Sequence, residues 1–121
     1  MIKTDIIIIG AGPVGLFAVF EAGLMKLKCH LIDAIPIAGG QLSEIYPKKP
    51  IYDIPGFPSV LAGELVNNLM KQAKPFKPGF TLGERAESIS KQIDSSYIVT
   101  TNEGTKHKAP IIFIAGGLGS F

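Results

Sequence analysis

A continuous apolar run, a helical apolar pattern and a second apolar run follow one another at the start of the chain. The run Ile6-Ile7-Ile8-Ile9 is typical of a parallel strand that is buried on both faces. From Leu16 to Leu24 apolar residues recur at helical spacing, and residues 28–33 form the second strand-like run. The order strand, helix, strand predicts a β-α-β unit, and therefore an α/β fold with a parallel sheet.

The rest of the chain predicts one further helix and several short strands. Apolar residues at helical spacing from Leu61 to Ala73 predict a helix that ends before Pro75 and Pro78. After it, strand-forming runs separated by turn residues predict a three-stranded antiparallel meander over residues 85–91, 96–101 and 105–108.

Two further segments carry information about function and extent. Residues 36–58 are rich in Pro, Gly and Tyr and predict a long ordered loop, which in a compact domain is usually functional. The apolar run 110–115 predicts another parallel strand, and Gly116-Gly117-Leu118-Gly119 follows it directly. Because a parallel strand entering a glycine turn is an unusual end for a domain, the sequence predicts a fragment of a longer polypeptide.

The turn after the first strand carries the most specific chemical pattern, Gly10-Ala11-Gly12-Pro13-Val14-Gly15. This G-x-G-x-x-G spacing between a strand and a helix is typical of dinucleotide binding. Gly10 permits a tight turn, Gly12 lets a pyrophosphate approach the main chain, and Gly15 allows the helix to pack closely on the strand. Asp33, at the end of the second strand, can accept hydrogen bonds from a ribose diol. The alternative is a strand-to-helix turn without a ligand.

The residues after Asp33 narrow the choice of nucleotide. Ala34-Ile35-Pro36-Ile37 contains no arginine, so a 2′-phosphate would meet a carboxylate without a cationic partner. NADP at this turn is therefore disfavoured, and NAD and FAD both remain open.

Composition excludes several functional classes. The chain has 121 residues, 46% of them hydrophobic, and a net charge of +2, which suits one packed domain and does not predict a nucleic-acid or membrane surface. The single cysteine, Cys29, is expected to be an inert core thiol. His30 and His107 are distant along the chain and predict no metal site. With neither a secretory signal nor a spanning segment in the sequence, a cytoplasmic protein is expected.

Three segments resemble the thioredoxin reductase-like (type 2) ferredoxin–NADP reductases of the pyridine nucleotide-disulfide oxidoreductase superfamily. They are residues 8–16, the group Gly39-Gly40-Gln41-Leu42-Ser43 with Tyr46-Pro47, and residues 51–58. The resemblance covers essentially the whole chain. It implies that residues 1–121 are the N-terminal part of a Rossmann-like FAD-binding domain, with the NADPH domain and a returning C-terminal FAD segment absent. By itself such a fragment is expected to bind FAD weakly or not at all and to be inactive.

The resemblance also implies a set of FAD contacts. Gly10, Gly12, Pro13 and Gly15 would surround the pyrophosphate, and Asp33 would bind the adenosine ribose. The remaining implied contacts are Gly40 and Gln41 along the ribityl and flavin, Tyr46 stacked on the isoalloxazine, Ala86 at the adenine, Gly116 in the second FAD turn, and Phe121 near the flavin. The family usually has threonine where this chain has Gly116. No residue is predicted to be an acid–base catalyst, because the flavin carries the chemistry.

The leading prediction is the FAD-binding part of a homodimeric flavoenzyme that passes electrons from NADPH through FAD to ferredoxin or flavodoxin. A thioredoxin reductase is the alternative within the class, since its C-x-x-C pair would lie in the absent domain. A non-catalytic NAD-binding Rossmann module is the alternative of another class, although the long loop 36–58 disfavours it. A fragment that binds nothing also stays open.

Overall fold

The computed structural model describes residues 1–39 and 47–117. Within them, strands and helices alternate as far as residue 76, and the elements after that residue are all strands. In chain order the elements are β1 (Ile2–Lys3), β2 (Ile6–Ile9), α1 (Pro13–Leu24), β3 (Cys29–Asp33), β4 (Pro50–Ile51), β5 (Val60–Leu61), α2 (Ala62–Ala73), a 3-10 turn (Lys74–Phe76), β6 (Gly79–Leu82), β7 (Ala86–Lys91), β8 (Tyr97–Thr101), β9 (Lys106–Ala109) and β10 (Ile111–Ile114).

The isoleucine run forms the centre of a parallel sheet. The strand order is β10-β2-β3-β6, and every neighbouring pair is parallel. Ile6, Ile7 and Ile8 are each at most 2% exposed, because β2 is covered on both faces and paired on both edges. The predicted α/β fold with a parallel sheet is confirmed.

The two faces of this sheet pack against different elements. On one face, α1 and α2 pack together over Ile6, Ile8 and Leu31. On the other face, Ile7 and Ile32 pack against the second sheet. The period-two alternation of side chains along β2 and β3 therefore divides the core into two clusters, one under the helices and one under the meander.

The predicted meander is confirmed, and it gains a strand that the sequence did not predict. β7, β8 and β9 pair antiparallel, and β1 adds to β9 in parallel, which completes a second four-stranded sheet in the order β1-β9-β8-β7. The two-residue strand β1 has too few residues to show a periodicity of its own.

Other predicted details are corrected by the structure. The helical spacing places Leu61 in the apolar stripe of the helix, but this residue belongs to β5 and is 45% exposed, because α2 begins at Ala62. Strand β6 was not predicted, since Gly79–Leu82 is short and follows two prolines. In the long loop, β4 pairs antiparallel with β5, and Ile54 bridges to Phe57.

His30 and His107, which the sequence separates widely, meet in the core between the two sheets. Their ring centroids are 4.9 Å apart, and both Nε2 atoms contact the Thr81 hydroxyl, at 2.7 and 2.8 Å respectively. The Nδ1 atom of His107 lies 3.3 Å from the Val99 carbonyl, which can only accept, so this nitrogen carries the proton. The Thr81 hydroxyl then donates to His107, and its oxygen accepts from His30.

This bonding order requires a neutral His107, because its Nε2 accepts, whereas His30 donates from Nε2 and is kept neutral by its surroundings. Burial, followed by the neighbouring His107, lowers the pKa of His30 to about 4, and burial also lowers the pKa of His107. The sequence predicts no metal site at these two histidines. In the ranges 1–39 and 47–117, no group of three or more His, Cys, Asp or Glu side chains could hold a metal ion.

We predict that the histidine pair makes the fold sensitive to mild acid. An unfolded histidine has a pKa of about 6.5, so below that pH His30 binds a proton in the unfolded chain and stays unprotonated in the folded protein. Stability is therefore complete above about pH 6.5 and falls as the pH is lowered towards 4. Urea titration should give a free energy of unfolding about 2 kcal/mol lower at pH 5 than at pH 7.5.

A His30→Gln variant is the control for this prediction, because it removes one titrating ring while keeping a side chain that can hydrogen-bond. Its free energy of unfolding should change less between the two pH values than that of the unchanged protein. Equal stability of the unchanged protein at pH 5 and pH 7.5 would contradict the prediction.

Candidate nucleotide-binding site

The ends of three parallel strands converge at the Gly10 turn. The Gly10 N–H donates to the Ile32 carbonyl at 2.8 Å, and the Ala115 N–H donates to the Ile9 carbonyl at 2.7 Å. Gly10 has a φ of +114°, and a Cβ there would overlap the Ala115 carbonyl. The position therefore excludes side chains both by its backbone angle and by the closeness of the strand after it.

Gly15 and Gly12 have different structural roles. A Cβ on Gly15 would overlap the Gly10 carbonyl oxygen and press on Ile8, so this glycine is needed for α1 to approach the strand. A Cβ on Gly12 would meet only the Gly39 carbonyl oxygen, at 3.9 Å, and the backbone there is extended. The described fold leaves open space above Gly12, as a pyrophosphate approaching the main chain requires.

The amino end of α1 adds an electrostatic preference for an anion. Gly12 is the N-cap and Pro13 opens the helix; among residues 1–39 and 47–117 no side chain caps the first turn, and the first turn itself contains no acidic residue. Helix N-terminal N–H groups carry partial positive charge and bind phosphates well. The helix terminus and the open space above Gly12 therefore both suit a phosphate group.

Asp33 connects the end of β3 to the turns on either side. Its Oδ2 accepts from the Ala11 N–H at 2.7 Å, and its Oδ1 accepts from the Ile35 N–H at 2.9 Å. A carboxylate offers about four acceptor sites, and the described part of the chain occupies two of them, which leaves two for a ribose diol. The carboxylate is thus already oriented by the protein before any ligand binds.

A cleft of about 230 Å³ runs between this carboxylate and the second sheet. Most of the residues that line the cleft are apolar. The remaining lining residues are Gly10, Asp33 and Arg85. The apolar lining residues are Ile9, Ile32, Ala34, Ala86 and Ile114. An apolar cleft with a few oriented polar groups is typical of a nucleotide site.

The structure brings most of the predicted site residues to this one end of the parallel sheet. Gly10, Gly12, Pro13 and Gly15 form the turn and the start of α1, and Asp33 and Ala86 share the cleft. Gly116 lies against Gly10, since a Cβ on Gly10 would be 3.1 Å from the Gly116 nitrogen. Gly40, Gln41, Tyr46 and Phe121 lie outside the described residues.

Arg85 lines the cleft, although no sequence pattern predicts it as a site residue. The expectation that a phosphate near Asp33 would find no cationic partner is wrong, because this arginine lines the same cleft. It comes from the start of the meander, far along the chain, and no local pattern connects it to Asp33. Only the Asp33 carboxylate still disfavours NADP at this turn.

Cys29 is an inert thiol, as predicted. It is 4% exposed, and burial, followed by the charge of Asp5, raises its pKa to about 11. A thiol with that pKa is a poor nucleophile at neutral pH. None of the helices in the described ranges has the length and hydropathy to cross a membrane.

The described residues have the Rossmann-type fold of thioredoxin reductase-like FAD-binding domains. The thioredoxin reductase of T. acidophilum matches 97% of this chain with a TM-score of 0.79 and 25% sequence identity, and the match covers 36% of that protein. Such a likeness supports the fold assignment.

Sequence comparison identifies nearer relatives. The chain is 79% identical over all 121 residues to ferredoxin–NADP reductase 1 of Christiangramia forsetii and 75% identical over the same length to ferredoxin–NADP reductase of Flavobacterium johnsoniae. The chain spans 34% and 35% of these relatives, about a third of their length. No family model matches the chain. The predicted resemblance to ferredoxin–NADP reductases is confirmed over the whole chain.

The two glycines of the turn give a prediction about stability. Gly10→Ala should destabilise the protein by several kcal/mol, about 3 or more, because of its positive φ and the overlap with Ala115. Gly12→Ala should change the free energy of unfolding by less than about 1 kcal/mol, since its backbone is extended and its surroundings are open. Denaturant titration of both variants measures the difference, and equal losses would contradict this account.

Proposed function

We propose that this chain is the FAD-binding part of an NADPH-dependent reductase that delivers electrons to ferredoxin or flavodoxin. The observation that carries the proposal is the 79% identity, over the whole chain, to a protein named ferredoxin–NADP reductase, combined with an open glycine turn beside an oriented carboxylate. We further propose that the protein is cytoplasmic and acts as a homodimer.

The described residues fit the adenosine and pyrophosphate parts of FAD. The space above Gly12 and the amino end of α1 would hold the pyrophosphate, while the two remaining acceptor sites of Asp33 would receive the ribose hydroxyls. Ala86 and the apolar lining of the cleft would take the adenine.

The flavin part of the site is proposed from the family resemblance. Gly40, Gln41, Tyr46 and Phe121 would lie along the ribityl chain and the isoalloxazine, and Gly116 would contribute a backbone contact. When bound, FAD supplies the ability to take two electrons as a hydride and release them one at a time. Since the chain spans about a third of its relatives, we propose that NADPH binds to the remaining part of the protein.

Thioredoxin reduction is the second candidate, favoured by the TM-score of 0.79 to a thioredoxin reductase. Sequence identity to that protein is only 25%, against 75% and 79% to the ferredoxin–NADP reductases. The contribution of this chain would be the same in both cases, because a redox dithiol would need two cysteines and Cys29 is the single one here.

A change at Gly12 tests FAD binding. In the protein that contains this chain, Gly12→Val should abolish the yellow colour and the flavin absorption, because the branched side chain would occupy the space proposed for the pyrophosphate. Gly12→Ala should weaken FAD binding less, which makes the series a graded steric test. Circular dichroism and thermal unfolding establish that each variant is folded, and normal flavin content in a folded Gly12→Val protein would contradict the proposal.

An acceptor assay separates the two reductase functions. With NADPH, the purified protein that contains this chain should reduce ferredoxin or flavodoxin faster than it reduces the disulfide of thioredoxin, because the proposed electron path leaves from the flavin and needs no internal dithiol. Initial rates with each acceptor at equal concentration measure the preference. Faster reduction of thioredoxin, together with a C-x-x-C pair elsewhere in the protein, would favour the thioredoxin reductase function.

A further inference from the structure

Residues 83–85 connect the parallel sheet to the meander and form hydrogen bonds with both of them. The Glu84 carboxylate accepts from the hydroxyls of Thr101 and Thr105, at 2.6 and 2.7 Å, and these bonds, Thr101 first, lower its pKa. The Glu84 N–H donates to the Asp33 carbonyl at 3.2 Å. One residue thus joins the end of β3 to the turn between β8 and β9.

The backbone of Arg85 is fixed in the same way. Its N–H donates to the Asn102 side-chain oxygen at 2.8 Å, and its carbonyl accepts from the Asn102 N–H at 2.9 Å. These two hydrogen bonds fix the backbone position of Arg85 beside the cleft that Arg85 and Asp33 both line. The position is therefore determined by the protein and does not depend on a ligand.

The side chain of Arg85 forms an ion pair at the protein surface. Its Nη2 lies 2.7 Å from Oε1 of Glu87, and both side chains are about half exposed, at 50% and 49%. An exposed ion pair of this kind contributes little to stability, so the guanidinium can leave Glu87 for a ligand at low cost. A flat cation beside a largely apolar cleft is suited to stack on an aromatic ring.

We propose that Arg85 is an adenine-positioning residue that makes the site select adenosine-containing flavin, FAD, over FMN. This inference rests on the proposed function and goes beyond it by assigning a side chain to the adenine. Asp33 would bind the ribose, and the guanidinium would cover the face of the base turned away from the apolar lining. Because FMN has no adenine, it gains nothing from Arg85.

The test compares three ligands on the flavin-free form of the protein that contains this chain: FAD and FMN by flavin fluorescence, and ADP by competition with FAD. Arg85→Ala should raise the Kd of FAD and of ADP about tenfold, as expected for the loss of a stacked cation, and leave the Kd of FMN unchanged. Arg85→Lys should recover little of the lost affinity, because an ammonium keeps the charge without the plane. Lys91→Ala, which removes an exposed cation from the far end of β7, is the matched control and should change none of the three constants.

Each other outcome has a definite meaning. Unchanged FAD affinity in Arg85→Ala, or an equal loss for FMN, overturns the inference. Full recovery in Arg85→Lys also overturns it, since a charge acting on the phosphates would then explain the effect. Failure of the unchanged protein to bind FAD would instead contradict the proposed function.

Discussion

The described structure depends on how closely the ends of three parallel strands approach one another at Gly10. At this point β2 turns into α1 while β3 lies on one side and β10 on the other, so that no room is left for even one side-chain carbon. The second close contact, between Gly15 and the Gly10 carbonyl, brings the amino end of α1 directly over the sheet. Both contacts are backbone contacts, so rotamer changes cannot relieve them.

The same close packing explains why the candidate site is organised without a ligand. Asp33 accepts from N–H groups in the turn before it and in the loop after it, and the Gly39 N–H donates to the Ala11 carbonyl at 2.6 Å. The glycine turn, the carboxylate and the start of the long loop are thus joined by hydrogen bonds. Gly12 differs from its neighbours because the described protein leaves the space above it open, which suits a ligand better than it suits packing.

The two sheets meet through polar as well as apolar contacts. His30, Thr81 and His107 form a neutral chain of hydrogen bonds in the interior. Glu84 and Asn102 form the hydrogen bonds that fix residues 83–85, which connect the two sheets. In the described part of the chain, every buried polar side-chain atom has a hydrogen-bond partner. Since unpaired buried groups are costly, this pairing defines the relative placement of the sheets and so of Asp33 and Arg85.

Local sequence determined much of this protein. The isoleucine run, the glycine turn with Asp33, the two helices and the meander could all be predicted, because each depends on a short-range periodicity or on the backbone freedom of glycine. Tertiary structure alone decided the addition of β1 to β9, the place of β6 beside β3, the meeting of His30 with His107, and the presence of Arg85 in the cleft. These contacts join residues far apart along the chain, and burial and strand register, which no local pattern records, bring them together.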